Sequence, residues 1–409
     1  MQGKNKQLVR ILESELKSAL KKGWSFLLLG PRQTGKTTLI QNILLNTGNK
    51  AEYYLQDPSA RLELEADPGR IIRQVEAMKG RPVVFVDEAQ KVTEVFDAAQ
   101  FLIDKKKASF ILTGSSARKL RRKGANLLPG RIKRFYLDPL CWAELGLIKE
   151  NNIVKLAAKN INQNSKYSFS DSLVYGSLPA IARMRESERG DVLRSYTEIY
   201  LEEEIRAEAL SRKIGAFSRF LELAAAESGT SPNLTKLSNE SGVSAPAIKE
   251  FYRILEDTLV VERVDPFLRN SRKRILSSPR YYFFDIGVRN ALARLPLSRG
   301  LVNAQKGILF EHAVILEIKR RIRALGKNYK VHYWRTSGGA EVDCVIDLGD
   351  EVIPIEIKSS KTISLSELKG LSSFLNEYKK IAKQGYIISL EGKKEKLAEN
   401  IIRLPWNEI

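Results

Sequence analysis

One glycine-rich segment limits the possible folds of this chain more than any other. It reads Gly30-Pro31-Arg32-Gln33-Thr34-Gly35-Lys36-Thr37 and fits the pattern G-x-x-x-x-G-K-[ST] of phosphate-binding loops. An apolar run at residues 24–29 precedes it, and apolar spacing predicts a helix over residues 38–45. In such a context the loop backbone and the helix N-terminus hold phosphates, Lys36 reaches the β- and γ-phosphates, and Thr37 binds Mg²⁺. We therefore predict that residues 30–37 bind ATP together with Mg²⁺.

Short apolar runs alternate with helical patterns across the first third of the chain. They predict strands at residues 51–55, 82–86, 109–112 and 132–137, in addition to the strand before the loop. Strands that alternate with helices favour a parallel sheet covered on both faces. We therefore expect an α/β fold in which the phosphate-binding loop follows one of the strands.

Acidic and hydroxyl side chains follow two of these predicted strands. Asp87 and Glu88 come after residues 82–86. We expect Asp87 to complete the Mg²⁺ shell and Glu88 to orient or deprotonate the attacking water. Thr113 and Ser115 follow the strand predicted at residues 109–112. We expect Ser115 to sense the γ-phosphate, with Thr113 as the second choice. The structural alternatives are a solvated pair at 87–88 and a simple turn at 113–116.

The charge balance of the chain favours a polyanionic partner. Its 409 residues include 68 Lys and Arg against 48 Asp and Glu, which gives a formal net charge of +20. DNA is the partner we expect, although a generally basic proteome or a need for solubility would give the same balance. Two separated cysteines, Cys141 and Cys344, argue against a disulfide scaffold or a zinc site. No apolar run approaches the ~20 residues of a membrane span, so we expect a cytoplasmic protein without signal peptide.

The middle of the chain has the pattern of a winged helix-turn-helix. Residues 139–225 read as helices, and residues 234–243 predict a further helix that ends at Gly242. Ser244 then caps a second helix, and residues 259–264 predict a strand. The wing would carry four basic residues: Arg269, Arg272, Lys273 and Arg274. Because the second helix presents few base-reading side chains, we expect non-specific or structure-specific DNA binding, with protein packing as the alternative.

Polar side chains near the C-terminus are predicted to share one face of a hairpin. Gly349-Asp350 is a good two-residue loop, and its register places Asp343 opposite Glu356. Lys358 lies two residues beyond Glu356 and therefore on the same face. Opposed carboxylates repel each other without a cation, which favours a Mg²⁺ site with Asp343 and Glu356 as ligands and Lys358 as an assisting group. A salt-bridge ladder on a half-exposed hairpin is the alternative.

Together these motifs resemble a family of archaeal and bacterial AAA-type (AAA+) ATPases whose second half carries an uncharacterised domain of nuclease-like fold. The resemblance covers nearly the whole chain and is carried by Pro31-Arg32-Gln33-Thr34-Gly35-Lys36-Thr37-Thr38, Phe85-Val86-Asp87-Glu88-Ala89-Gln90, Leu112-Thr113-Gly114-Ser115-Ser116, Pro129-Gly130-Arg131, Tyr175-Gly176-Ser177-Leu178-Pro179, Tyr282-Phe283-Phe284-Asp285-Ile286-Gly287 and Gly307-Ile308-Leu309-Phe310-Glu311. It implies an AAA+ architecture and a homo-oligomer such as a hexameric ring. It also implies that Thr38 belongs to the nucleotide-binding loop.

The resemblance extends to individual residues. Arg131 resembles the Gly-Arg position of the family, a candidate arginine finger that completes a neighbouring subunit's site; an ordinary surface or phosphate contact is the alternative. The basic run at residues 118–123 is either a solvated face or a nucleic-acid patch. Asp343, Glu356 and Lys358 resemble the PD-(D/E)xK nuclease site, and Glu311 resembles an additional acidic residue of some members. The Pro that usually precedes the first Asp is missing here, and fold and cleavage are separate claims.

These patterns predict four segments along the chain. They are a P-loop AAA+ core at residues 1–138, a helical lid at 139–225, a winged helix-turn-helix at 226–275 and a PD-(D/E)xK nuclease-like α/β domain at 276–409. The expected function is ATP hydrolysis coupled to DNA remodelling, branch migration or processing, with Mg²⁺-dependent endonuclease activity left open. One alternative is an ATP-dependent regulatory switch whose nuclease-like domain is a non-cleaving docking module. Another is a remodeller of proteins, which the basic charge disfavours.

Overall fold

The computed structural model describes residues 8–115, 128–148, 153, 166–207, 214–268 and 278–409. The chain divides into two compact units. The N-terminal unit comprises Met1–Pro139 with Arg253–Val260, and the C-terminal unit comprises Leu140–Tyr252 with Val261–Ile409. The division at residue 139 lies beside the predicted end of the AAA+ core. The three segments predicted beyond it fall largely within the C-terminal unit.

The N-terminal unit is built on a five-stranded parallel sheet. Its strands are β1 (Ser25–Leu29), β2 (Lys50–Tyr54), β3 (Val83–Asp87), β4 (Ser109–Gly114) and β5 (Ile132–Tyr136). They lie in the order β2-β3-β4-β1-β5, and each neighbouring pair is parallel. Every residue of β1 is buried, as expected of a strand with apolar layers on both faces. The α/β fold and the parallel sheet predicted from the sequence are therefore confirmed.

Helices supply the apolar layers on the two faces of this sheet. They are α1 (Glu13–Lys21), α2 (Lys36–Leu44), α3 (Pro58–Ala66), α4 (Arg70–Ala77) and α5 (Val95–Asp104). Successive residues of β1 enter different cores, because side chains alternate along a strand. Phe26 belongs to the core that contains Leu16 of α1, and Leu27 belongs to the core that contains Phe96 of α5. This packing holds the end of β1, and therefore the loop that follows it, in a fixed position.

The C-terminal unit contains most of the remaining helices. They are α6 (Trp142–Leu145), α7 (Phe169–Tyr175), α8 (Pro179–Arg183), α9 (Glu186–Ala207), α10 (Ile214–Ala226), α11 (Leu234–Ser241), α12 (Ala245–Asp257), α13 (Ile286–Leu292), α14 (Arg299–Ala304), α15 (Lys306–Ala324) and α16 (Lys369–Glu377). The last turn of α12, from Arg253, belongs to the N-terminal unit. All the residues of α13 are buried, so this short helix lies at the centre of the helical part.

An eight-stranded mixed sheet forms the rest of the C-terminal unit. Its strands are β6 (Val261–Pro266), β7 (Arg280–Phe283), β8 (Lys330–Arg335), β9 (Glu341–Asp347), β10 (Val352–Lys358), β11 (Gly385–Ser389), β12 (Glu395–Ala398) and β13 (Ile401–Pro405). They lie in the order β12-β13-β11-β10-β9-β8-β6-β7. Leu371 and Phe374 of α16 belong to the same core as Trp334 and Val342 of the sheet.

The helix-turn-helix-strand order predicted for the middle of the chain is present, but its strand also belongs to the C-terminal sheet. Asn233 accepts a hydrogen bond from the Lys236 N–H at the start of α11, and Gly242 ends that helix with φ +71°. Strand β6 pairs antiparallel with β7 and parallel with β8. The sequence patterns did not predict β7, β12 or β13. The four basic residues of the predicted wing lie outside the described residues.

Two of the segments that carry the family resemblance pack directly against each other. The Ser177 N–H donates to the Asp285 carboxylate over 2.7 Å. A Cβ at Gly176 would lie 1.9 Å from the same carboxylate, and a Cβ at Gly287 would lie 2.2 Å from the carbonyl oxygen of Tyr175. Both glycines are therefore required by close backbone approach, which makes this junction a structural feature of the C-terminal unit.

Candidate functional site

The phosphate-binding loop follows β1 and leads into α2. Gly35 precedes the helix with φ +89°, and Gln33 also has a positive φ of +61°. The Thr34 hydroxyl donates to the carbonyl of Pro31 over 2.9 Å and closes the turn. No side chain caps α2, so the N–H groups of its first turn remain available to an anion. A Cβ at Gly30 would lie 2.3 Å from the carbonyl oxygen of Leu137, so this position accepts glycine alone.

The lysine of the loop is buried and bonded to the loop itself. The Lys36 ammonium donates to the carbonyls of Gly30 and Pro31 over 2.9 and 3.0 Å. Arg32 is half-buried, and Thr38 is exposed on the first turn of α2. Phosphate oxygens are stronger acceptors than carbonyls for an ammonium group, so a bound triphosphate offers Lys36 a better partner than the loop does.

A buried arginine that the sequence did not single out holds this loop against the end of β5. Arg10 donates to the carbonyl of Thr34 over 2.8 Å and to the carbonyl of Asp138 over 2.7 Å. Its side chain is only 7% exposed. Both acceptors are backbone carbonyls, which every residue has. The sequence around Arg10 therefore contains no motif that would reveal this contact.

The two predicted Mg²⁺ ligands lie side by side. The Thr37 hydroxyl is 3.0 Å from both carboxylate oxygens of Asp87. The Thr113 hydroxyl donates to the same carboxylate over 2.6 Å. Burial raises the pKa of Asp87 above its usual value, against the hydrogen bonds of Thr113 and Thr37. A hydroxyl beside a buried carboxylate is an oxygen donor set that suits Mg²⁺, which would favour the charged form of Asp87.

The second carboxylate after β3 is held in place by its neighbours. Glu88 has a positive φ of +56°, and its N–H donates to the Thr113 hydroxyl over 3.0 Å. Its carboxylate accepts a hydrogen bond from Ser115 over 3.1 Å and another from the Gln90 amide. At the end of β4, the Thr113 hydroxyl therefore donates to the Asp87 carboxylate and the Ser115 hydroxyl donates to the Glu88 carboxylate. Gln90 was not predicted as a site residue, although it stands two positions after Glu88.

Arg131 lies at the opposite edge of the sheet from the phosphate-binding loop. It precedes β5, whose first residue, Ile132, pairs with Ser25 at the start of β1. The loop follows the other end of β1, about 17 Å away at ~3.3 Å per strand residue. Arg131 is exposed and forms an ion pair with Asp104 over 2.6 Å. The structure therefore does not bring Arg131 together with the ATP-site residues of its own chain.

The hairpin predicted near the C-terminus has the predicted register. Ile353 pairs with Ile346 and Ile355 with Cys344, and the Leu348 N–H donates to the Glu351 carbonyl. Next to the Ile355–Cys344 pair, the Asp343 carboxylate accepts a hydrogen bond from the Ile357 N–H over 2.8 Å. The prediction that Asp343 and Glu356 stand opposite each other therefore agrees with the observed pairing.

The polar groups on this hairpin are close but unequally satisfied. The Lys358 ammonium donates to Glu356 over 2.8 Å. The other carboxylate oxygen of Glu356 is buried and has no hydrogen-bond partner among the described residues. Glu341, which the same register places opposite Lys358, forms an ion pair with Arg280. Glu311 on α15 accepts a hydrogen bond from the Tyr282 hydroxyl over 2.8 Å.

Burial raises the pKa values of these carboxylates, and the charge of Asp343 adds to the shift for two of them. Burial, followed by the charge of Asp343, raises the pKa of Glu356 to about 8. The same two causes raise the pKa of Glu311 to about 7. Burial also raises the pKa of Asp343. The charges of Lys358 and Arg280 lower these pKa values but do not offset burial. The unpartnered oxygen of Glu356 is therefore suited to a further cation.

The geometry nevertheless stops short of a formed metal site. Across the described ranges, no three His, Cys, Asp or Glu side chains are arranged so that together they could hold a metal ion. The donor types suit Mg²⁺, but the side chains would have to move to coordinate one.

Within the described ranges, none of the helices combines the length and apolar character that crossing a bilayer requires.

Comparison with known proteins divides the chain into three matched parts. Residues 24–146 match an AAA domain. Residues 166–299 and 306–409 match two domains of unknown function, DUF8612 and DUF4143. Uncharacterized proteins of Mycobacterium bovis and Mycobacterium tuberculosis are each 26% identical over 361 residues, covering 86% of this chain and 74% of their own.

Two solved structures align with the chain, each with a TM-score below 0.5. A Walker-type ATPase of Pyrococcus abyssi has a TM-score of 0.45 at 14% identity, covering 71% of this chain and 97% of its own. AMPPCP-bound DnaA from Aquifex aeolicus has a TM-score of 0.30 at 14% identity, covering 63% of this chain and 89% of its own. The AAA match spans the phosphate-binding loop, Asp87, Glu88 and Ser115. Sequence match and site geometry together support an AAA-type ATPase.

Proposed function

We propose that this protein hydrolyses ATP with Mg²⁺ in its N-terminal unit and couples the turnover to remodelling or processing of DNA. The observation that carries the ATPase assignment is the arrangement at the ends of β1, β3 and β4. There Thr37 contacts Asp87, and Ser115 contacts Glu88, beside a phosphate-binding loop.

Each residue of this site has a chemical role that its position allows. The loop N–H groups and Lys36 bind the phosphates, and Thr37 and Asp87 would hold Mg²⁺. When bound, the ion neutralises charge on the phosphates and orients them. Glu88 orients the attacking water and accepts its proton. Ser115 and Gln90 restrict the Glu88 carboxylate to one rotamer, which fixes the direction from which water is activated.

DNA is the partner that the charge of the chain supports. A net charge of +20 attracts a polyanion at long range, and the attraction weakens as salt screens it. The position of Arg131 supports a homo-oligomer such as a hexameric ring. Because it lies far from its own ATP site, it could complete only the site of another subunit. The two buried, unpaired cysteines favour a cytoplasmic location.

A second activity, Mg²⁺-dependent cleavage of phosphodiester bonds, is proposed for the C-terminal unit. It is supported by the proximity of Asp343, Glu356 and Lys358, and by the raised pKa values of the carboxylates. Asp343 and Glu356 would hold the ion, and Lys358 would contribute positive charge. If no cleavage occurs, the same surface serves as a docking module controlled by the ATP state.

One experiment tests the ATPase, the DNA coupling and the cleavage together. The ATPase rate is measured with Mg²⁺ in the absence of DNA and with single-stranded, duplex or four-way-junction DNA, and the DNA is then resolved on a gel. Stimulation by DNA supports a DNA-acting ATPase, and product bands that vanish in Asp343→Ala and Lys358→Ala support nuclease activity. ATP hydrolysis without stimulation, binding or products would favour the regulatory switch instead. No hydrolysis under any condition would reject the ATPase assignment.

A further inference from the structure

A basic surface lies on the N-terminal unit, away from the ATP site. Parallel strands all begin at the same edge of a sheet, so the segments that precede β1, β3, β4 and β5 are brought together at the edge opposite the phosphate-binding loop. We call this edge the basal face and define it as residues 21–24, 79–81, 101–107 and 131–133. Apart from Arg131, these residues have no part in either candidate site.

Direct contacts join these segments into one continuous surface. Arg81, before β3, donates to the carbonyl of Gly23, before β1, over 2.9 Å. The Ser109 hydroxyl, at the start of β4, donates to the same carbonyl over 3.2 Å. The ion pair between Arg131 and Asp104 links the start of β5 to the end of α5. The four segments are therefore neighbours in space although they are far apart along the chain.

The basal face is strongly cationic. Each of its four segments carries Lys or Arg, and all these side chains are exposed. Asp104 is the one carboxylate in the four segments, and it is already paired with Arg131. The remaining cations repel one another. Binding of a polyanion therefore lowers the free energy, because it relieves this repulsion and releases small counterions.

Exposed aromatic rings lie among these cations. Trp24 is 47% exposed, and the Lys133 ammonium lies 3.8 Å from the centroid of its ring. Phe101, in the last turn of α5, is 38% exposed, and the Lys105 ammonium lies 4.1 Å from its centroid. A charged surface that serves only solubility does not explain why aromatic rings are exposed among the lysines. Each ammonium lies over the face of its ring, so a base that stacks on that face would displace the lysine, which can then contact a neighbouring phosphate.

We propose that the basal face binds single-stranded nucleic acid, with phosphates on the lysines and bases stacked on Trp24 and Phe101. Duplexes are disfavoured because paired bases do not present their faces to a protein surface. The inference rests on the proposed function, in which DNA is the partner, and it assigns that contact to a surface that no sequence motif indicated. Since the ATP site lies at the other end of β1, nucleic acid bound here would not compete with ATP.

The test measures binding of a fluorescent oligothymidylate to the full chain by anisotropy at several salt concentrations. The basal variant carries Lys105→Glu, Lys106→Glu and Lys107→Glu. The matched control carries Lys379→Glu, Lys380→Glu and Lys383→Glu, which changes the net charge equally at exposed lysines of the C-terminal unit. Trp24→Ala and Trp24→Phe form a second pair that tests stacking at constant charge. ATP hydrolysis without DNA and thermal melting report whether each variant is folded.

We expect the basal variant to lose about tenfold in affinity or more. The slope of log binding constant against log salt concentration should become shallower by about 2, since each of the three lost single-strand phosphate contacts contributes ~0.7 to that slope. The lysine control should lose much less. Trp24→Ala should weaken binding about tenfold while Trp24→Phe stays close to the wild type.

Five results would overturn the inference. Equal losses in the basal variant and the lysine control would show that net charge alone attracts the strand. Equal affinity of Trp24→Ala and wild type, or an equal loss of duplex binding, would reject the stacking of unpaired bases. If the wild-type chain binds no DNA at all, the proposed partner fails together with this surface. If it binds DNA but both basal changes leave binding intact, only the surface assignment fails.

Discussion

Replacing Glu356 with glutamine should stabilise the protein at neutral and alkaline pH but not in acid. In the folded state, burial and the charge of Asp343 raise the pKa of Glu356 to about 8, from an ordinary value of 4.5. Between these pH values the folded state binds more protons than the unfolded state, so the free energy of unfolding falls as pH rises. The Glu356→Gln side chain is always neutral and avoids this loss.

The size of the effect follows from the pKa difference. At ~1.4 kcal/mol per pKa unit, a carboxylate with these two values would lower the free energy of unfolding by about 3 kcal/mol at pH 7. The loss would approach ~5 kcal/mol above pH 8. Lys358 lowers the pKa of Glu356, and the value of about 8 already includes this contact. We therefore expect Glu356→Gln to gain about 3 kcal/mol at pH 7 and ~4 kcal/mol near pH 8, and to match the wild type closely below pH 4.5.

The assay is denaturant unfolding of wild type and variant across pH 4–9, without added divalent ions. Glu351→Gln, at an exposed carboxylate of the same hairpin, serves as the matched control and should follow the wild-type curve. Addition of Mg²⁺ should stabilise the wild type more than Glu356→Gln at alkaline pH, because only the wild type keeps the carboxylate. A variant that is equally destabilised at all pH values would refute the electrostatic reasoning and indicate a packing role for Glu356.

Four further changes test other parts of the structure. Lys36→Ala should abolish ATP turnover by removing the phosphate contact, and normal hydrolysis in this variant would reject the site. Glu88→Gln should retain ATP binding in a nucleotide-binding assay but lower the hydrolysis rate at least a hundredfold, since the amide cannot accept the proton. Arg131→Ala should lower hydrolysis while ATP binding stays unchanged; weaker binding would count against a finger role. Gly287→Ala should destabilise the folded chain by roughly 2–4 kcal/mol in denaturant unfolding, because its Cβ would lie 2.2 Å from the Tyr175 carbonyl oxygen; a wild-type midpoint would contradict this close approach.

The sequence patterns that succeeded are local ones. The phosphate-binding loop, the strand before it and the helix after it are contiguous, so their order alone predicts where β1 ends and α2 begins. The alternation of apolar runs and helices was sufficient to predict the parallel sheet of the N-terminal unit. In the C-terminal hairpin, a two-residue loop determined the pairing of both strands, because a tight turn leaves only one register.

The sequence also predicts four polar residues at strand ends, Asp87, Glu88, Thr113 and Ser115, and these groups do meet at one edge of the sheet. Their partners were harder to predict. Thr113 bonds to Asp87 and Ser115 to Glu88, a distribution that depends on how β3 and β4 are aligned. Gln90 reaches Glu88 because a short 3₁₀ turn, Ala89–Lys91, bends the chain back.

Sequence by itself determined the elements, the phosphate-binding loop and the hairpin register, because each depends on residues a few positions apart. Only the tertiary structure decided which distant groups became partners. Arg10 reaches the Asp138 carbonyl 128 positions away, and Arg280 pairs with Glu341 61 positions away. The pairing of β6 with β8 and the contacts that form the basal face also join residues that are far apart in the sequence. Periodicity reports which face of an element is buried, but which elements then pack together depends on the free energy of the whole fold.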